Sequence, residues 1–133
     1  MRTHVEFRSD KFPPYEGEEE EINPELWGRR LAEYLVEKLY AEGIGTEGMV
    51  AEDWGWRVAV ENDDLRMWIG CGHYQQWPNG YLCFVEAGRP VLRRLFRKVD
   101  TTDPVGRVVD ALDRILTSDP EIWDVRWWEE NER

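Results

Sequence analysis

Trp54-Gly-Trp-Arg-Val-Ala-Val60 sets large apolar side chains, Trp54, Trp56, Val58 and Val60, in alternation with Gly55, Arg57 and Ala59, and a period of two is the mark of a half-buried strand. Asn62-Asp63-Asp64 supplies turn chemistry and Leu65-Arg-Met-Trp-Ile-Gly-Cys-Gly72 follows, so the two runs read as an antiparallel hairpin. A further turn, Gln75-Gln-Trp-Pro-Asn-Gly80, leads to Tyr81-Leu-Cys-Phe-Val-Glu86, which is apolar on both faces and therefore predicts a central strand. Residues 48–87 thus form a meander. Its register has two solutions: a five-residue loop pairs Tyr74 with Gly80 and sets Cys71 opposite Cys83, whereas a two-residue Asn79-Gly80 turn sets Cys83 opposite Gln76.

Working outward, residues 2–8 predict a short first strand that Lys11-Phe-Pro-Pro-Tyr15 stops. Residues 13–22 read as an acidic, solvated loop, since Glu16 to Glu21 holds five carboxylates and one glycine. Asn23-Pro24-Glu25 is a helix-start signal of cap, proline and first-turn carboxylate, and predicts a helix over 24–42. Trp27, Leu31, Tyr34, Leu35 and Leu39 form its buried stripe, and Gly43 and Gly45 stop it. After Gly88 a short amphipathic helix is expected from Pro90 to Val99, with Arg89, Arg93, Arg94, Arg97 and Lys98 as its basic face. Asp103-Pro104 opens another helix to about Thr117, and Ile122 to Trp128 alternates as a last strand before a fraying end. The expectation is a single α+β domain over 1–133: an antiparallel sheet of four to six strands with two or three helices packed mainly on one face.

Composition narrows the function classes. A formal charge of −11 over 133 residues opposes nucleic acid and anionic lipid and favours a basic protein partner. No apolar run approaches the ~18 residues of a membrane span and no secretory signal opens the chain, so a cytoplasmic protein is expected. Cys71 and Cys83 then read as reduced, buried thiols. The eight tryptophans exceed what one core of this size ordinarily hides, so some are expected at the surface, with Trp77 and one of Trp127 or Trp128 foremost.

Glu52-Asp53 before Trp54-Gly55-Trp56 is the most distinctive local feature. Two carboxylates precede two indoles spaced to share a strand face, where desolvation would raise an acid toward neutrality for general acid–base work. The plainer account is a strand leaving a polar loop with both indoles in the core. Cys71-Gly-His73 with Cys83 offers three soft ligands but lacks paired Cys-x-x-Cys spacing, and Cys71 and His73 stand too far apart along a strand for a nucleophile–base pair. Buried thiols, glycines allowing close packing and a strand-end histidine account for the same residues, and no metal or cofactor is expected.

The segments Phe12-Pro-Pro-Tyr15, Glu52-Asp-Trp-Gly-Trp56, Trp68-Ile-Gly-Cys-Gly72, Cys83-Phe-Val-Glu86 and Arg97-Lys-Val-Asp-Thr-Thr102 together resemble a family of small uncharacterised bacterial proteins. The resemblance spans nearly the whole chain and implies a bacterial cytoplasmic protein, with no activity to carry over. The leading functional expectation is a non-enzymatic binding module of the inhibitor or immunity type, docking a basic partner through acidic, Trp-rich surface that includes Trp77 and Trp128. The alternative is a small-ligand or enzymatic cleft lined by Trp54, Trp56, Trp68 and Tyr74, with Glu52, Asp53 or His73 as its polar groups. A monomer or weak homodimer fits either.

Overall fold

The Tyr74 N–H donates to the Gly80 carbonyl at 2.7 Å, and that one bond closes the five-residue loop and places Cys71 opposite Cys83. The computed structural model describes residues 1–63, 65–74, 77–90 and 102–130, without the side chains of 89, 90 and 102. Its strands are β1 (His4–Ser9), β2 (Thr46–Glu52), β3 (Gly55–Val60), β4 (Leu65–His73), β5 (Gly80–Pro90) and β6 (Ile122–Trp128). Its helices are α1 (Glu18–Glu21), α2 (Arg29–Ala41) and α3 (Thr102–Ser118). One antiparallel sheet runs β2-β3-β4-β5-β1-β6, so the two ends of the chain meet at one edge and the central meander supplies the other. The α+β architecture is the one expected, and β5 has strands on both sides, as its two apolar faces require. No helix among the described residues is long and apolar enough to cross a membrane.

Helices α2 and α3 lie on one face and touch each other, α2 over β2, β3 and β4 and α3 over β5 and β6. Beneath them Val5, Val58, Ile69, Cys83, Leu35 and Leu112 are buried, and removing such apolar surface from water is the main force holding the layers together. On the opposite face, cross-strand pairing sets Gly70, Phe84, His4 and Trp128 in one row across β4, β5, β1 and β6. Both edge strands are irregular. The β2–β3 register shifts between Thr46 and Met49, where Gly48 has φ +114°, and the β1–β6 register shifts at Glu6/Arg8, opposite a segment in which Asp124 has φ +54°.

Several expectations need correction. The helix predicted from Pro24 starts only at Arg29, because the Asn23-Pro24 signal is spent on a turn. Leu26 N–H donates to the Asn23 carbonyl at 3.0 Å and Glu25 takes φ +66°, the pattern of a tight turn with proline second and a left-handed residue third. The acidic stretch is not solvated throughout, since it holds α1 and buries Glu18 to 3% exposure. Trp54 lies in the turn between β2 and β3 and not on a strand face with Trp56. Trp127 and Trp128 point to opposite faces, yet neither is exposed: Trp127 donates to Asp113 at 2.9 Å, and Trp128 is only 3% exposed, with its ring 4.7 Å from His4. Residues Arg89 and Pro90 belong to β5; the basic helix expected over 90–99 otherwise lies outside the described residues.

Candidate functional site

Three glycines set the geometry at the end of β4. A Cβ on Gly28 would stand 2.9 Å from the Cys71 carbonyl oxygen and 2.9 Å from the Gly72 Cα, and a Cβ on Gly55 would stand 2.5 Å from that same oxygen. Only residues without side chains let the segment before α2, the β2–β3 turn and β4 meet this closely. Gly55 also takes φ +152°, which turns the chain between Trp54 and Trp56 and sends their indoles to different sides of the sheet. Gly70 is the floor for the Phe84 ring, whose Cζ would lie 2.3 Å from a Cβ there.

On the open face these contacts leave a cleft of about 290 Å³ lined by Leu26, Trp54, Gly72, Tyr74, Leu82 and Phe84, with Cys71 and His73 at its base. Trp54 lies 6.1 Å from Trp68 at 26° between planes and 5.3 Å from Phe84, so the wall is a stack of rings. Of the residues singled out from sequence, the structure therefore brings together Trp54, His73 and Tyr74, with Trp68 backing the wall. Glu52 pairs with Arg57 at 3.6 Å. Asp53 is exposed beside Trp54, and its carbonyl accepts from the Asn23 side chain at 2.7 Å. Trp77, 51% exposed, stands beside Arg8, whose guanidinium lies 4.6 Å from its ring centroid. Trp56 and Trp128 do not line the cleft. Leu26, Leu82 and Phe84 do, and they went unmarked because each looks like an ordinary core residue until the strand register places Leu82 and Phe84 and the Asn23–Leu26 turn places Leu26.

His73 is a clasp between loops. Its ring stacks on Trp27 at 3.8 Å and 9°, Nδ1 lies 2.7 Å from the Glu25 carbonyl and Nε2 lies 2.9 Å from the Trp77 carbonyl. Both ring nitrogens thus face backbone acceptors, so neither faces the Cys71 thiol; a neutral ring donates to one of these carbonyls and an imidazolium to both. Burial, helped by the charge of Glu18, pushes the Cys71 thiol up to about 12, and burial raises Cys83 as well. A thiol in that state is a poor nucleophile and a poor metal ligand near neutral pH. Among the described residues no three His, Cys, Asp or Glu side chains form a metal-binding group.

The carboxylate that the sequence reading missed is Glu18. Its Oε2 accepts from Gly28 N–H (2.8 Å), Arg29 N–H (2.9 Å) and Trp56 Nε1–H (3.0 Å), and Oε1 accepts from Tyr15 N–H (3.0 Å). A charge beside the unpaired N–H groups of a helix start is favourable, so Glu18 caps α2 from ten residues upstream. Neighbouring glutamates of identical type hid it. A second, partly buried network joins Asp119 to Lys11 (2.8 Å), Tyr34 (2.7 Å) and the Glu121 N–H (2.9 Å). Burial pushes this carboxyl up, but the donors Lys11, Tyr34 and Glu121 outweigh it and hold Asp119 at about 2.

No protein-family model, curated protein or solved structure matches the chain.

Proposed function

We propose that this protein is a non-enzymatic binding module, of the inhibitor or immunity type, that docks a basic protein partner through the open face of its sheet. The observation that carries the reading is the placement of the exposed indoles. Trp54, Trp77 and Trp123 are 37%, 51% and 37% exposed, all outside the helix-covered core, on a molecule of net charge −11. Aromatic side chains that remain accessible are the usual anchors of protein interfaces, and a strong negative field speeds encounter with a basic partner. The groups that would serve chemistry are committed elsewhere: the His73 nitrogens to carbonyls, Glu18 to a helix start, and Asp119 to Lys11 and Tyr34. A bacterial, cytoplasmic setting accords with the reading.

The test is a pull-down with the immobilised chain from a bacterial lysate at low and high salt, followed by reconstitution with the purified partner. A basic partner whose association slows as salt rises, and which dissociates faster from Trp77→Ala or Trp54→Ala, supports the reading. A partner that is acidic, or indifferent to salt and to both substitutions, overturns it. The small-ligand alternative keeps one specific observation in its favour, the 290 Å³ cleft. A small molecule that raises the melting temperature without any protein partner would put that alternative first.

A further inference from the structure

Resting on the basic-partner reading, we infer that the cleft at the end of β4 receives a cationic side chain, an arginine or lysine presented by the partner. The decisive comparison is among the exposed indoles themselves. Arg8 lies 4.6 Å from the Trp77 ring and 5.8 Å from that of Trp123, and the half-exposed Trp68 has Arg57 at 5.6 Å. Tyr15 likewise has Arg30 at 3.9 Å and Arg29 at 4.9 Å. Trp54 is the one exposed indole with no cation over its ring among the described residues. In each of these contacts a guanidinium sits over an accessible ring, because the ring quadrupole attracts a cation, whereas the 80% exposed Tyr40 has none over its ring among the described residues. On the basic-partner reading, the cation at Trp54 comes from the partner.

Size, wall and charge agree with this occupant. A volume of about 290 Å³ falls at the small end of ligand pockets, suited to one long side chain and not to a larger organic molecule. Trp54, Tyr74 and Phe84 give ring surface for a methylene stem and its charged head, and Gly72 leaves the floor without a side chain. Among the described residues no lysine or arginine lines the cleft. Two exposed carboxylates adjoin lining residues in the chain, Asp53 immediately before Trp54 and Glu25 immediately before Leu26, and neither forms an ion pair among the described residues. Arginine fits better than lysine, since its planar, weakly hydrated head stacks on rings.

The experiment titrates the full chain with N-acetyl-arginine amide and, separately, with the uncharged isostere N-acetyl-citrulline amide, followed by NMR at the Trp54 indole N–H and the Leu26 and Gly72 amides. Saturable shifts at these three positions with arginine amide, and at least about tenfold weaker binding of citrulline amide, are expected. Trp54→Leu abolishes the response, Trp54→Phe retains part of it because a ring face remains, and an unchanged amide spectrum elsewhere shows that each variant is folded. Asp53→Asn and Glu25→Gln each weaken the arginine response a few-fold at low salt. Equal binding of the two amides, or shifts confined to the 16–21 carboxylates, overturns the inference. A purified basic partner that binds Trp54→Leu as tightly as the parent chain also overturns it while leaving the docking reading intact. Arginine-specific shifts at the cleft with no basic protein partner would instead keep the site and remove the docking reading.

Discussion

Trp54 and Trp56 are two residues apart and occupy opposite worlds. Trp56 is 8% exposed under α2 with its N–H on Glu18, while Trp54 is 37% exposed on the open face, stacked on Trp68 and tilted against Phe84. The covered face satisfies every role it assigns: Glu18 accepts from four donors and Asp119 from three. The open face instead leaves the Trp54 ring accessible, next in the chain to Asp53, which forms no ion pair among the described residues. Stability belongs to the first region and, on the proposed function, recognition to the second, so substitutions should sort the same way.

The largest effect should come from Glu18→Ala, which strips two buried and two partly buried donors of their acceptor and removes the cap of α2. A loss of about 3 kcal/mol or more is expected in urea denaturation, with Glu18→Gln keeping part of it. Equal stability of Glu18→Ala and the parent would break the comparison at its root. Next, Gly72→Ala forces a Cβ to 3.2 Å from the carbonyl oxygens of both Trp27 and Trp54, and about 1–3 kcal/mol should be lost together with the shape of the cleft.

A pH series sharpens the picture further. Asp119 is held at about 2 in the fold against roughly 3.9 in an unfolded chain, so its contribution is complete above pH about 4 and disappears as pH falls through 2. About 1–2 kcal/mol of stability should vanish across that window, and Asp119→Asn should flatten this part of the profile. Cys71 and Cys83 should stay unreactive toward a thiol reagent at neutral pH in the native state and react fully in denaturant; fast native labelling would contradict their burial. Smallest of all on stability is Trp54→Ala, expected within about 1 kcal/mol of the parent, while partner affinity falls roughly tenfold or more.

Much of the fold was legible because several signals agreed locally. For α3, the Asp103-Pro104 start and the spacing of Val105, Val108, Val109, Leu112, Ile115 and Leu116 pointed one way; five of the six are buried and Val109 is partly buried against the core. The alternation in 55–60 and 65–73 gave the meander in the same manner. Reading failed where a distant partner decided the outcome. Pro24 suits a turn as well as a helix start, and only the carboxylate of Glu18 on Gly28 and Arg29 moves the helix to residue 29. Trp54 was assigned to a strand because periodicity cannot register the φ of Gly55. The cleft was half visible: its indole, histidine and tyrosine were marked, but Phe84 comes to it through pairings across the sheet and Leu26 through the tight turn that starts at Asn23.

The irregular outer strands carry a consequence for crowded conditions. A strand arriving from a second molecule needs a straight run of free amide and carbonyl groups to extend a sheet, and both margins deny it one. Gly48 at φ +114° breaks the β2 margin between Glu47 and Met49, and Asp124 at φ +54° breaks the β6 margin in its middle. The molecule can thus keep a ring-rich face accessible without also offering a template on which copies would polymerise into fibres.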